Sequence, residues 1–590
     1  MKNLKAIYLY SIFCLLPFLG KAQSAIQLNQ LGFYPNAPKI AVLTASSNAS
    51  KFYVLSRNLK DTFFIGTAGA EKQSAYSSTK TSILDFSGLK KIGSYIIKIG
   101  ALQSYPFTIS NDANKIAAIA SLKGYYFQRS SIPLEEKYAG QWKRTGFHPD
   151  NQVQVHASAA SKERPAGFVL SSVGGWYDAG DYNKYIVNSG ITNGTLFSAY
   201  EDFPAYFEKL KTQIPESNNG IPDLLNEAIY NLRWMLTMQD PNDGGVYHKC
   251  TNAVFDGMVM PGVTKEIRYM VQKSTAASLD FAAVTAQASR ILKGFEKHYP
   301  GLADSCLRAS KKAWQWSLAN PNQLYEQDKM NQTFKPAVTT GSYGDNNVTD
   351  EWIWASAELY VTTNEKAYAT SFEKYNTNYK TSLPSWSNVG LLGYYSLLHV
   401  SNAIPAFSST QIEQLKNTVI NIANQYISKV DANAFQTVMG QTARDFNWGS
   451  NSNAANQGIL LVKAYLITGD KKYINYALSN VDYILGRNAT GYCFVTGLGS
   501  KSSMNPHHRQ SVSDGIEAPV PGLLVGGPNP GMQDKCTYQF KEPETCYLDQ
   551  SCSYASNEIA INWNAPLVYL TNAIEALKFK VGYVLKYSKD

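Results

Sequence analysis

The feature that most constrains how this 590-residue chain can fold is a change of texture at Asp112. Before it, from Ala25 to about Ser110, short apolar runs alternate with turn residues: Ile40–Leu43, Phe52–Leu55, Thr81–Leu84 and Ser94–Ile99. Runs of that length, bounded in that way, predict a small β-sandwich. No acid or histidine cluster lies there, so packing against its neighbour is its expected role. After Asp112 the apolar residues recur at helical spacing. From Pro222 to Met238, the residues Leu225, Ala228, Ile229, Leu232 and Met235 share one face, and Pro222 suits a first turn. The same spacing predicts helices over 276–292, 350–361, 411–429, 457–467 and 471–485. The segments Tyr360–Tyr368 and Tyr465–Tyr473 echo each other as a helix end, a tight turn and a restart. Helical hairpins that follow one another must each bury an apolar face on the next, which predicts a closed ring of antiparallel helices.

The length alone favours two or more domains. Apolar residues are 44% and charged ones 17%, which excludes wholesale disorder. The 39 tyrosines exceed what a core satisfies through its hydroxyls, so many rings are expected on surfaces or in a groove. A net charge of +9 is spread without a Lys/Arg block, which argues against a nucleic-acid partner. Residues 1–23 carry Lys2 and Lys5, an apolar run from Ala6 to Leu19 and a small, polar end. That is a secretory signal, so the protein is expected to be exported, to the periplasm or outside. Its apolar run is short for a membrane span, and no later segment approaches one. Export permits disulfides; Cys536, Cys546 and Cys552 cluster, so a local bridge among them is expected, with one of the three left over.

The chemistry begins at Gly174–Tyr185, GGWYDAGDYNKY. Asp178 and Asp181 stand three residues apart with Gly180 between them, where the backbone turns freely, so two carboxylates can face one small volume and hold a water molecule. Taken alone, the pair better describes a turn that caps a helix or binds calcium, because Asp and Gly are the commonest turn residues. The rings of Trp176, Tyr177, Tyr182 and Tyr185 beside it favour a sugar site, because pyranose C–H faces stack on aromatic faces. The partner acid is found near the C-terminus. Glu558 is followed by Ile559, Ala560, Ile561 and Trp563, an apolar setting that raises a glutamate pKa and keeps it protonated. One protonated acid and one ionised base fit glycoside cleavage. Between these lies a loop region, 488–556, too long to be a mere connector, in which Met504–Arg509 places His507 and Arg509 close together. No HExxH, GxSxG or phosphate-cradling loop is present.

These motifs resemble glycoside hydrolase family nine, the endoglucanase (cellulase) family. The N-terminal marker is NQLGFYP at 29–35. The catalytic markers are GGWYDAGDYNKY, Ile221–Glu227, Asp243–Lys249, NPHHR at 505–509 and Y-x-D-x4-Y-x3-E-x-A-x3-N-A from Tyr547 to Ala565. Cys493 stands where the family prefers Ser, Thr or Val. The resemblance implies an N-terminal immunoglobulin-like sandwich over 24–110 and an (α/α)6 barrel over 111–590. It implies Asp181 as catalytic base, Asp178 as its partner on the water and Glu558 as general acid. It places His507, Asp549, Arg509 and Tyr554 along the cleft, with His248, Trp448 and Trp176 at sugar subsites. The implied activity is inverting hydrolysis of internal β-1,4 bonds in cellulose, mixed-linkage glucan or the xyloglucan backbone, without an organic cofactor. A chain ending about 30 residues past Glu558 tilts this toward soluble or branched glucans. The rivals are the same scaffold acting on another β-glycan or amino-sugar oligosaccharide, and a non-catalytic glycan-binding protein; the presence of all three carboxyls argues against the second. A structural calcium is implied at Asp350 and Glu351. The zinc of some relatives is not expected, since the matching region offers His148 and His156 but no cysteine.

Overall fold

A computed structural model describes residues 24–585. The expected secretory signal lies outside the described residues. The N-terminal strands span Ile26 to Ile109 and build two facing sheets. One runs in the order Ile26–Gln27, Ile40–Leu43, Lys80–Asp85, Lys72–Gln73. The other runs Gly32–Phe33, Phe107–Ile109, Gly93–Ile99, Lys51–Ser56, Thr62–Thr67. The apolar runs read from sequence fall inside these strands. Alternation explains the packing: Phe52 and Val54 point inward while Lys51 and Tyr53 stay exposed. Phe33 fills the space between the sheets, edge-on to Phe86 and Phe107.

Twelve helices of ten or more residues follow among the described residues. They are α1 (Lys115–Gln128), α2 (Ile186–Asp202), α3 (Asp223–Thr237), α4 (Thr275–Leu292), α5 (Leu302–Ala319) and α6 (Thr349–Thr363). The chain continues with α7 (Lys366–Asn376), α8 (Gly390–His399), α9 (Ser409–Ile427), α10 (Ser450–Thr468), α11 (Lys471–Ile484) and α12 (Ile561–Leu577). Even-numbered helices form the inner ring and odd-numbered ones the outer. α12 packs on both α2 and α10, and α4 on both α2 and α6, which closes the expected barrel. Inner helices are buried nearly all round, as α4 shows, whereas α3 buries Leu225, Ala228, Ile229, Leu232 and Met235 and leaves Arg233 outside. The two echoing hairpins are the α6–α7 and α10–α11 turns. Each closes on a left-handed residue, Asn364 or Gly469.

Two differences from the sequence reading bear on function. Helix α10 begins at Ser450, seven residues before the predicted 457, because its first turns are Ser-Asn-Ser-Asn-Ala-Ala-Asn. That stretch is polar yet largely buried, facing a cleft instead of an apolar core. The region after Asp112 is also not wholly helical. Strands Val169–Leu170, Val153–Val155, Tyr269–Met270, Lys249–Thr251 and Lys184–Tyr185 form a five-stranded sheet beside the cleft. At two or three residues each, they are too short to show alternation.

The sandwich is locked to the barrel by the first residues of the NQLGFYP marker. Gln30 Oε1 accepts the Ser500 and Lys501 N–H groups at 2.8 Å each, and its Nε2 donates to the Gly491 carbonyl at 3.0 Å. Asn29 donates to Asp482, which is ion-paired with Arg487. Tyr34 donates to Glu575 of α12. Among the described residues no helix is long and apolar enough to cross a membrane.

Candidate active site

Four backbone segments meet at one end of the barrel. Ala179 pairs with Ala560, His507 with Glu558 and Val525 with Ile559 as isolated β-bridges, and the Ile561 N–H donates to the Asp178 carbonyl at 2.8 Å. Gly180 is required here: a Cβ at that position would lie 2.2 Å from the His507 carbonyl oxygen. The close approach brings the aspartate pair, Glu558 and the NPHHR loop to one cleft of about 560 Å³. Its walls include Asp178, Asp181 and Glu558, with Tyr343, Trp386, Trp448, Trp563 and Phe255 as aromatic surfaces.

The two aspartates are held differently. Asp178 is buried; Asn188 Nδ2 donates to both its oxygens at 2.8 and 3.1 Å, and the Tyr343 hydroxyl donates to Oδ2 at 2.8 Å. Burial and the neighbouring Asp181 charge push its pKa up to about 8, against those donors. Asp181 receives Asn183 Nδ2 at 2.5 Å and the Tyr185 hydroxyl at 3.1 Å, both on Oδ2, which leaves Oδ1 to the cleft. Glu558 is pushed well above the usual carboxylate range by burial, then by Asp181 and Asp178, with Arg509 opposing. That shift favours the protonated form, the form a general acid needs.

The other expected residues fall into two groups. Trp448 is 43% exposed and lines the cleft, with the Tyr554 ring 5.5 Å away. The remainder support the walls. Arg509 donates to the Gly180 carbonyl at 2.8 Å and twice to the Asp256 carbonyl at 2.9 Å, so it ties the DAGD turn to the 252–268 loop. Asp549 accepts from the Met504 and Asn505 N–H groups and from Asn557, holding the NPHHR loop. His507 Nδ1 is bonded to the Ser551 carbonyl at 2.6 Å, and its ring meets Tyr554. Burial lowers its pKa.

Trp176 and His248 are corrected by their burial. The Trp176 ring is fully buried 4.5 Å from Tyr125 and offers no face to a sugar. His248 is also fully buried, bonded to Ser274 Oγ and the Ser342 carbonyl and stacked on Tyr325, where it props the loop carrying Tyr343. Tyr177 and Tyr182 likewise pack on each other inside the protein. The aromatic cluster of the GGWYDAGDYNKY segment thus supports the carboxylates, and stacking surfaces come from other loops. Tyr343, Asn188, Trp386 and Trp563 escaped the sequence reading. The first two sit 165 and 10 residues from Asp178, with no local motif to mark them.

Asp350 and Glu351 begin α6 and face Asp280 of α4 in the barrel interior. Both oxygens of Asp280 and of Glu351 are buried without a hydrogen-bond partner. Burial, then the Asp350 charge, push Asp280 and Glu351 well up, and burial raises Asp350 to about 6. Buried, unpaired carboxyl oxygens suit a hard cation. Among the described residues, however, no three His, Cys, Asp or Glu side chains are gathered as a ready ligand set, so the carboxylates alone do not complete a site. His148 is bonded to the Tyr177 hydroxyl, and His156 to Ser158 and the Pro336 carbonyl. Cys536 and Cys552 form a disulfide, and Cys546 is the buried thiol left over.

Residues 115–571 match the profile of glycosyl hydrolase family 9. The chain belongs to that family. As a family 9 glycoside hydrolase it carries the matching cellulase N-terminal Ig-like domain over residues 21–104. It is 47% identical over 554 residues to a xyloglucan-specific endo-β-1,4-glucanase of Bacteroides ovatus, covering 94% of each chain. It is 33% identical to endoglucanase D of Acetivibrio thermocellus, over 92% of this chain and 82% of that one. A solved structure described as a Bacteroides ovatus family 9 glycoside hydrolase superposes with a TM-score of 0.89 at 45% identity, covering 94% of this chain and 99% of that one.

Proposed function

We propose that this family 9 enzyme is an endo-β-1,4-glucanase that inverts anomeric configuration and acts on branched β-glucans of the xyloglucan type. The observation that carries the mechanism is the arrangement in one cleft of a buried Glu558, its pKa pushed up, beside an aspartate pair in which Asp181 keeps one oxygen clear of side-chain donors. Glu558 protonates the glycosidic oxygen as the bond breaks. Asp181 takes a proton from the water that attacks the anomeric carbon, and Asp178 orients that water. An acid and base separated by roughly 6.5–9.5 Å leave room for it. All proton transfers are assigned to carboxyls of the chain, so an organic cofactor is not required.

Two observations support a branched substrate. A relative covering nearly the whole chain is named as xyloglucan-specific. Around Trp386, Trp448 and Trp563 the cleft also carries small polar residues, Ser385, Ser387, Asn447, Ser452 and Asn453, which leave width and hydrogen-bonding groups for side-chain sugars. The test is reducing-end release together with anomeric NMR on xyloglucan, mixed-linkage glucan and carboxymethyl-cellulose, for wild type, Glu558→Ala and Asp181→Ala. The expected result is α-anomer first, fastest from xyloglucan, and absent in both variants. Release of β-anomer, or activity that survives in both variants, overturns the mechanism; a preference for carboxymethyl-cellulose overturns the substrate.

The same reading includes export, on the signal-like residues 1–23, checked by N-terminal sequencing of the mature protein. It also includes a calcium ion that Asp350 and Glu351 would hold together with ligands other than carboxylates, supplying charge neutralisation to the barrel interior. Calcium is expected to raise the melting temperature of chelator-treated protein; an unchanged melting temperature refutes the ion.

A further inference from the structure

Asn183, two residues beyond Asp181, is held in a way that no sugar-binding role explains. It is fully buried. Its Oδ1 accepts the Asn252 N–H at 2.9 Å and Arg268 Nη1 at 3.2 Å, and Thr251 Oγ1 lies 3.0 Å away, its one hydrogen shared with the Asn252 carbonyl at 2.8 Å. With that oxygen saturated, the amide cannot turn over, and its nitrogen is committed to Asp181 Oδ2 at 2.5 Å. Its backbone carbonyl meanwhile accepts the Asp178 N–H at 3.0 Å, so one residue touches both members of the pair. Arg268 is itself fixed by Asp150, with Nε at 3.0 Å from Oδ1 and Nη2 at 3.3 Å from Oδ2, and Lys184 closes on Asp150 at 2.6 Å. A buried guanidinium therefore stands behind the amide and polarises its N–H toward the carboxylate.

We propose that Asn183 is a positioning residue that makes Asp181 the base of the aspartate pair, with Arg268, Thr251 and the Asn252 N–H locking its amide in the donating orientation. The donors hold Oδ2 and leave Oδ1 as the site that receives the proton from water. Asp178 receives its side-chain donors from Asn188 and Tyr343 and has no cation-backed donor comparable to Asn183. The titratable groups around Asp181 are Asp178, Glu558, His507, Lys249, Tyr185 and Tyr343. Of these only Tyr185 donates to it directly. Behind Asn183 stand Arg268, Lys184 and Asp150.

The inference rests on Asp181 acting as base, and the experiment separates the two. The dependence of kcat/KM on pH is measured on xyloglucan for wild type, Asn183→Ala, Asn183→Asp, Thr251→Val and Asp181→Ala. Loss of a donor to a charged oxygen is expected to move the acid limb of Asn183→Ala up by about one pH unit, a tenfold change in the ionisation constant. The Asn183→Asp limb moves further, because a carboxylate then faces Asp181. Thr251→Val removes only one of the three locks, and its limb moves the same way by a smaller amount; this variant also tests the idea if the Asn183 variants fail to fold. A limb that stays in place in Asn183→Ala or Thr251→Val, with any loss confined to KM, overturns the positioning role. Activity that persists in Asp181→Ala overturns instead the base assignment beneath it.

Discussion

Replacing Glu558 by Gln separates acid catalysis from every other contribution of that side chain. The substitution is isosteric, and the backbone on either side is pinned by the pairing of His507 with Glu558 and of Val525 with Ile559, so the amide occupies the place of the carboxyl. What it cannot do is give a proton to the leaving oxygen. General acid catalysis contributes about 10²–10⁴ in rate, or roughly 3–5 kcal/mol of barrier. That loss is expected in kcat on xyloglucan, whose leaving group is a sugar hydroxyl. On an aryl cellobioside with a dinitrophenolate leaving group, which departs without protonation, the same variant is expected to lose less than about tenfold, since the rest of the cleft is intact. Asp181→Ala, which lacks the base, is expected to fail on both substrates. The pH dependence carries the same logic. Burial and the two aspartates hold the Glu558 pKa well above the usual range, so the active, protonated form is favoured and disappears as pH rises through the raised value. The basic limb of the wild-type profile is therefore expected to vanish in Glu558→Gln. An equal loss on both substrates, or a basic limb that stays in place, would falsify the assignment of Glu558 as the proton donor.

Other perturbations follow from the same contacts. Trp448→Ala removes a half-exposed ring from the cleft wall and is expected to raise KM about tenfold with little change in kcat, read from initial rates; a fall in kcat alone refutes a stacking role. Gln30→Ala leaves two backbone N–H groups of the 499–501 turn without their acceptor and is expected to cost about 2–4 kcal/mol, seen as a lower melting temperature, with a fall in kcat because that turn leads into the NPHHR loop. Burial pushes the Asp150 carboxyl up, but Arg268 and Lys184 outweigh it and hold the pKa at about 2. This depressed value stabilises the fold above the ordinary carboxylate pKa and ceases to do so as pH falls from about 4 to 2, a contribution of about 2 kcal/mol. Asp150→Asn is expected to melt lower at pH 7 and to lose that part of the acid dependence; parallel melting curves across the range refute it.

What could be read from sequence was whatever local spacing or local chemistry records. Leu225 to Met235 repeat at the pitch of a helix because one side of α3 faces the inner ring, and Phe52 and Val54 alternate because one side of a strand faces Phe33. Asp178 and Asp181 announce themselves because their cooperation requires a glycine turn within a few residues, and Glu558 because its apolar neighbours precede a buried helix. The reading failed where spacing carries no such record. A tryptophan beside an aspartate pair looks the same on paper whether it faces sugar or core, and only the folded chain shows Trp176 packed inward against Tyr125 of α1. In the sheet containing Lys184–Tyr185, that strand pairs with Lys249–Thr251 more than sixty residues away, so its register is set by tertiary contact and leaves no periodic trace. The same holds for Tyr343, which meets Asp178 because His248 and Lys249 fasten the 340–343 loop against that sheet. The acid and base are thus written in two short motifs, while the groups that set their protonation come from a sheet and a loop that only the folded chain brings together. Substitutions in that second set, Thr251 and Tyr343 among them, are therefore where pH optimum is expected to change without loss of the three carboxyls.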